Sequence, residues 1–179
     1  MTRYLACTAL ILLAACSRED GNEPANEGAA ETPAGASLKT PDGSEVGMVT
    51  LSEDEKGVTI KVEASGLAPG DHGLHLHTVG RCDGTKFDSA GPHWNPLGKK
   101  HGRDNPQGAH LGDLANLAIG ADGRGTATIT VAGATLKGAE NPLIDLDGAA
   151  LVVHAKADDY KTDPSGDSGD RIACAILTG

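Results

Sequence analysis

The sequence predicts an all-β fold, a Greek-key sandwich or flattened barrel of immunoglobulin-like architecture interrupted by two long functional loops. Three observations lead there. Short β-prone runs recur between turn residues, 25 glycines supply the turns, and no stretch carries the apolar period of an amphipathic helix.

The elements follow in chain order. Val46 to Leu51 reads as a strand with weak alternation. From Gly57, the run GVTIKVEAS sets Val58, Ile60, Val62 and Ala64 on one face and Thr59, Lys61 and Glu63 on the other, the period of a half-buried strand. Ser65-Gly66 and Pro69-Gly70 then supply turn chemistry. GLHLH, at 73–77, reads as another strand. Asp122-Gly123 separates LANLAIGA from RGTATITVAG, which signals a hairpin. Ala149 to His154 and Arg171 to Leu177 complete the set. Two segments lack periodicity, Arg81 to Gly112 and Lys156 to Asp170. Irregular loops this long in a small domain are usually functional.

The first 15 residues lie outside this pattern. Arg3, an apolar run to Ala15 and the small residues before Cys16 read as a secretory signal peptide, too short to span a bilayer. Leu13-Ala14-Ala15-Cys16 resembles the lipobox of bacterial lipoproteins, which makes Cys16 the lipidated N-terminus of an exported chain. Residues 16–36 carry five acidic side chains and no aromatic or branched aliphatic one after Cys16, so they cannot bury enough surface to offset ordering entropy and read as a disordered linker. The folded domain is therefore expected over 37–179, in the cell envelope or periplasm, with a membrane contact through the N-terminal lipid alone.

Removing the 5 acidic and 2 basic residues before Ser37 leaves 20 and 13, a domain net charge of −7. With one Trp and one Phe in the whole chain, such a domain has no electrostatic footprint for nucleic acid. An anionic substrate has to be attracted locally, against the overall sign. Of four cysteines, Cys7 leaves with the signal and Cys16 takes the lipid. Cys82 and Cys174 remain, and in an exported domain they are expected to form a disulfide.

The histidines carry the chemistry. On a strand, His75 and His77 project from one side about 7 Å apart, as two ligands of one metal would, while His72 has the opposite parity and is expected to make a structural hydrogen bond. Alone, such a pair equally fits a solvated strand face. His93, His101 and His110 in the first long loop, Asp113 just after it and His154 at a strand end enlarge the inventory to six imidazoles and a carboxylate, enough for two sites. Imidazole nitrogen suits copper and zinc.

At GLHLH, SAGPHWNP, the spacing from His93 to His101, His110 and Asp113, GDL, VVHAKADD and DRIACAIL, the chain resembles the copper/zinc superoxide dismutase family over nearly the whole domain. The resemblance implies copper held by His75, His77, His93 and His154, and zinc held by His93, His101, His110 and Asp113, with His93 shared between them. It implies Asp158 as the carboxylate tying His101 to His75, Arg171 as the cation that docks the substrate, and superoxide anion as that substrate, converted to dioxygen and hydrogen peroxide with His93 relaying a proton. Asp163, Asp167 and Asp170 depart from a basic guiding loop, where only Lys156 and Lys161 oppose them. The filler between His77 and His93 is this chain's own, so a homodimer is left open without the contacts common in relatives. A metal-storing or metal-delivering envelope lipoprotein is the alternative to the enzyme, since both need the ligands. Arg171 and Asp158 favour the enzyme. An adhesive sandwich domain ranks last because it leaves the histidines unused.

Overall fold

A computed structural model describes residues 34–138 and 140–178, and the expected signal peptide, Cys16 and most of the expected linker lie outside them. The described chain is all-β, with one 3-10 turn at Asp88–Ala90. Nine strands form: β1 (Ala34–Lys39), β2 (Glu45–Asp54), β3 (Gly57–Ser65), β4 (Gly70–His72), β5 (Leu74–His77), β6 (Leu117–Ile119), β7 (Arg124–Ala132), β8 (Ala149–His154) and β9 (Arg171–Leu177). Seven curl into one antiparallel sheet in the order β5-β8-β9-β1-β2-β3-β7, and β4 pairs with β6 in a short ribbon. The single residue Gly73 joins the two sets, since β4 leads through it into β5.

The alternation read from Gly57 holds: Val58, Ile60 and Val62 are fully buried. Strands β8 and β9 have the expected bounds. The turn at Asp122-Gly123 is present, closed by the Gly120 N–H donating to the Arg124 carbonyl at 2.8 Å. Beyond it the two arms part, β6 to β4 and β7 to β3. The folded part also starts before the expected boundary at Ser37. Ala34, Gly35 and Ala36 pair with Leu51, Thr50 and Val49. Small residues give no strand signal, yet a backbone ladder needs none of their side chains, and Leu38 anchors β1 in the core.

Every residue of β8 is buried, because the strand lies between β5 and β9 with both faces covered. Ala149, Leu151 and Val153 enter the main core with Leu38, Leu74, Leu76 and Leu177. On the opposite face Ala150 and Val152 pack with Phe87, Ala90 and Cys174. The expected Cys82–Cys174 disulfide is formed, with Cα atoms 5.9 Å apart. It pins the first long loop over β8 and β9, where Phe87 and Ala90 pack on Ala150, Val152 and Cys174.

Candidate metal centre

The four residues of β5 are all buried, which places His75 and His77 out of water on one side of the strand. Isolated bridges pair His75 with Asp113 and His77 with His93, so a residue inside the first long loop and one just past its end return to the same strand. Gly112 makes this possible. Its carbonyl accepts the Leu76 N–H at 2.9 Å and its N–H donates to the Trp94 carbonyl at 2.9 Å, and a Cβ there would stand 2.6 Å from the Leu76 carbonyl oxygen. Trp94 is buried and packs in the main core.

Hydrogen bonds fix the ring tautomers. A carbonyl oxygen only accepts, so His77 Nδ1–H donates to Gly91 O at 2.8 Å and His154 Nδ1–H donates to Gly169 O at 3.1 Å. His75 Nε2–H donates to the Asp158 carboxylate at 2.8 Å. The nitrogens left over, His75 Nδ1, His77 Nε2 and His154 Nε2, are buried without a hydrogen-bond partner. Together with His93 these residues bring one ligand atom each within 4.8 Å of one another. Three buried lone pairs that converge without hydrogen-bond partners are costly unless a cation satisfies them.

A second set surrounds Asp113. Its Oδ1 lies 2.9 Å from His93 Nδ1, 3.0 Å from His101 Nδ1 and 3.0 Å from His110 Nδ1. His101 Nδ1 makes this approach without hydrogen-bond geometry. One oxygen cannot take three N–H donors well, whereas a cation among three imidazole nitrogens and a carboxylate satisfies all four. Oδ2 of Asp113 is occupied separately, accepting the N–H groups of Gly102 at 2.9 Å and His110 at 3.0 Å. His75 also comes within reach of this set, but Asp158 takes its Nε2, which leaves a single free nitrogen for one cluster. His93 belongs to both groupings. Its Nδ1 meets Asp113, leaving Nε2 for the other set.

Burial drives the electrostatics. It lowers the His77 ring from the ordinary 6.5 to about 2, His154 to about 3 and His93 to about 4, so these rings are neutral and able to ligate at neutral pH. Burial lowers His75 as well. Burial also opposes charge on His101, but Asp113 and Asp158 override it and raise this ring to about 9. Both carboxylates, despite burial, are held well below the ordinary range, Asp113 by the adjacent His101 ring and by hydrogen bonds from His93 and the Gly102 N–H, Asp158 by hydrogen bonds from His101, His75 and the Tyr160 N–H.

Asp158 spans the two sets, its Oδ2 on His75 and its Oδ1 3.0 Å from His101 Nε2. Arg171 donates to the Phe87 carbonyl at 2.7 Å and the Gly91 carbonyl at 2.8 Å. Gly91 O therefore holds both His77 and the guanidinium. Arg171, His93, His110 and His154 open on a cleft of about 950 Å³. Lys99 and Lys100 also line it, while Asp163 pairs with Lys100 at 3.2 Å. Sequence reasoning sought guiding cations in the second loop and missed these two in the first. His72 is not in either set. Its rings nitrogens meet the carbonyls of His154 at 2.7 Å and Ala68 at 2.9 Å, the structural role expected of it.

The chain is similar to known proteins in sequence and in fold. Residues 45–177 match the family model described as copper/zinc superoxide dismutase. The superoxide dismutase-like protein YojM of Bacillus subtilis is 43% identical over 141 residues, 77% of this chain and 72% of that protein. The copper-zinc superoxide dismutase 1 of Aquifex aeolicus is 43% identical over 139 residues, 75% of this chain and 81% of that protein. A crystal structure of a superoxide dismutase-like protein from Bacillus subtilis superposes with a TM-score of 0.78 at 40% identity, covering 82% of this chain and 100% of that one.

Proposed function

Because the chain belongs to the copper/zinc superoxide dismutase family, a family of metal-dependent oxidoreductases, we propose that it converts two superoxide anions and two protons to dioxygen and hydrogen peroxide in the cell envelope. His75, His77, His93 and His154 would hold copper, and His93, His101, His110 and Asp113 would hold zinc. Copper supplies one-electron exchange and zinc a fixed charge without redox chemistry. The observation that carries the reading is the convergence of buried, unpartnered nitrogens on His75, His77 and His154, with His93 as the ring common to both sets.

The chain's own residues then have defined tasks. Arg171, fixed by two carbonyls at the cleft, binds the incoming anion through the guanidinium edge they leave free. Lys99 and Lys100 add positive potential at the mouth, which raises the encounter rate of an anion with a net negative protein. His93 Nε2 holds the proton delivered to the second superoxide, since Nδ1 is turned to Asp113. Asp158 keeps His75 and His101 in the tautomers that leave their Nδ1 atoms free. A cleaved signal peptide and lipidation at Cys16, both expected from the sequence, would place the chain in the envelope, and mass analysis of the mature N-terminus tests this.

A non-catalytic copper/zinc-binding lipoprotein has one fact in its favour: a relative 43% identical is named only dismutase-like. Loading the chain with both metals and following superoxide decay separates the two. Rapid decay supports the enzyme, with Arg171→Ala slower and less sensitive to salt. Full metal occupancy without decay defeats it.

A further inference from the structure

We propose that Tyr160 is a positioning residue that sets the Asp158 carboxylate between the two histidine sets, an inference resting on the family reading above. Asp158 is held from two directions, and both pass through Tyr160. Directly, the Tyr160 N–H donates to Asp158 Oδ1 at 2.7 Å, beside the His101 contact on the same oxygen. Indirectly, the side chain of Asn116 grips the Asp158 peptide at both ends. Its Oδ1 accepts the Asp158 N–H at 2.9 Å and its Nδ2 donates to the Asp158 carbonyl at 3.0 Å. Asn116 is in turn fixed by Tyr160, whose hydroxyl oxygen accepts the Asn116 N–H at 2.8 Å.

The backbone at Tyr160 fits this role. Its φ of 61° lies in the left-handed region that a bulky side chain rarely adopts, and such strain persists only where surroundings over-determine it. Here they do. The Tyr160 carbonyl accepts the Asp104 N–H at 3.0 Å, and the Arg103 guanidinium stacks 3.7 Å from the ring centroid. Tyr160 thus ties the second loop to the chain on either side of Asp113, at Arg103 and Asp104 before it and at Asn116 after it. Asp158 inherits its placement from that knot and passes it to His75 in one set and His101 in the other.

The test uses the full chain and the variant Tyr160→Phe, which keeps the ring, the Arg103 stack and the backbone N–H while removing the hydroxyl acceptor. In the metal-free protein, the Nε2–H protons of His75 and His101 are read by NMR. Both resonances are expected to shift in the variant with the strand resonances of β2 and β3 unmoved. Zinc loss to a chelator is expected to quicken by about tenfold, at the low end of the effect of removing a ligand's own partner. A chain grown with 3-fluorotyrosine, which weakens the hydroxyl without removing it, is expected to move the same two protons and serves if the variant does not fold. Unmoved imidazole resonances, or a uniform fall in thermal stability alone, overturn the proposal. If the natural chain fails to consume superoxide while Tyr160→Phe still moves both protons, the catalytic reading falls and the positioning role stands.

Discussion

Replacing Cys82 and Cys174 together by alanine removes a crosslink spanning 92 residues of sequence. In the chain-entropy account, a loop of that length restricts the unfolded state by about 4–5 kcal/mol. That is a large share of the roughly 5–15 kcal/mol by which a domain is stable, and at about 3 °C per kcal/mol it lowers the midpoint of thermal unfolding by roughly 10–20 °C. The structure adds a local consequence. Cys174 packs with Phe87, Ala90, Ala150 and Val152, and the Phe87 and Gly91 carbonyls on that loop hold Arg171. Loosening the loop frees the guanidinium before it unfolds the barrel. Calorimetry of the metal-free double variant is expected to show the full drop, and the metal-loaded variant a slower reaction with superoxide even well below its midpoint. A midpoint within about 2 °C of the natural chain would refute the entropic reasoning. An unchanged rate would refute the link from the disulfide to Arg171.

Three other perturbations follow from the site. In the metal-free chain His77, His154 and His93 have folded pKa values of about 2, 3 and 4, below the ordinary 6.5, so they cost nothing above pH 6.5 and destabilise increasingly below it, by about 1–2 kcal/mol for each ring at pH 5. His101, raised to about 9, contributes stability that is complete below pH 6.5 and lost as pH rises through 9, so denaturant melts are expected to be weaker at pH 5 and at pH 10 than at pH 7. Asp158→Asn turns one oxygen into a donor facing a ring N–H, and zinc competition is expected to show affinity about 10–100-fold weaker, whereas unchanged affinity would remove Asp158 from the site. Lys99→Glu reverses a charge at the cleft; the superoxide rate is expected to fall at low ionic strength and recover towards 1 M salt, and a salt-independent loss would mean misfolding rather than steering.

Legibility in the sequence followed physical cause. β8 and β9 were readable to the residue because their apolar runs meet loop residues abruptly at both ends, and β3 because one face is wet. β1 was invisible, since Ala34, Gly35 and Ala36 lack the bulk that marks a strand and only Leu38 enters the core deeply. β4 begins on Gly70 of Pro69-Gly70, whose turn chemistry outweighed three residues of ladder. The i,i+2 spacing announced His75 and His77, but the division of ligands between two sets came with the family resemblance, because convergence of loops is long-range. Asn116 and Tyr160 act mainly through side-chain bonds to backbone groups that only the folded loops bring together, so no spacing in the sequence marks them. Lys99 was passed over because only the folded first loop brings it to the cleft, on a turn closed by Asn95 Oδ1 accepting its N–H at 3.0 Å.

The central claim is that the His93 ring serves both clusters. Electron paramagnetic resonance of the chain loaded with Cu(II) at both sites tests it most directly. Two spins joined by one ring are expected to couple and lose most of the signal of two separate ions, with His93→Ala abolishing the coupling. Two full, independent copper signals in the natural chain would contradict the account.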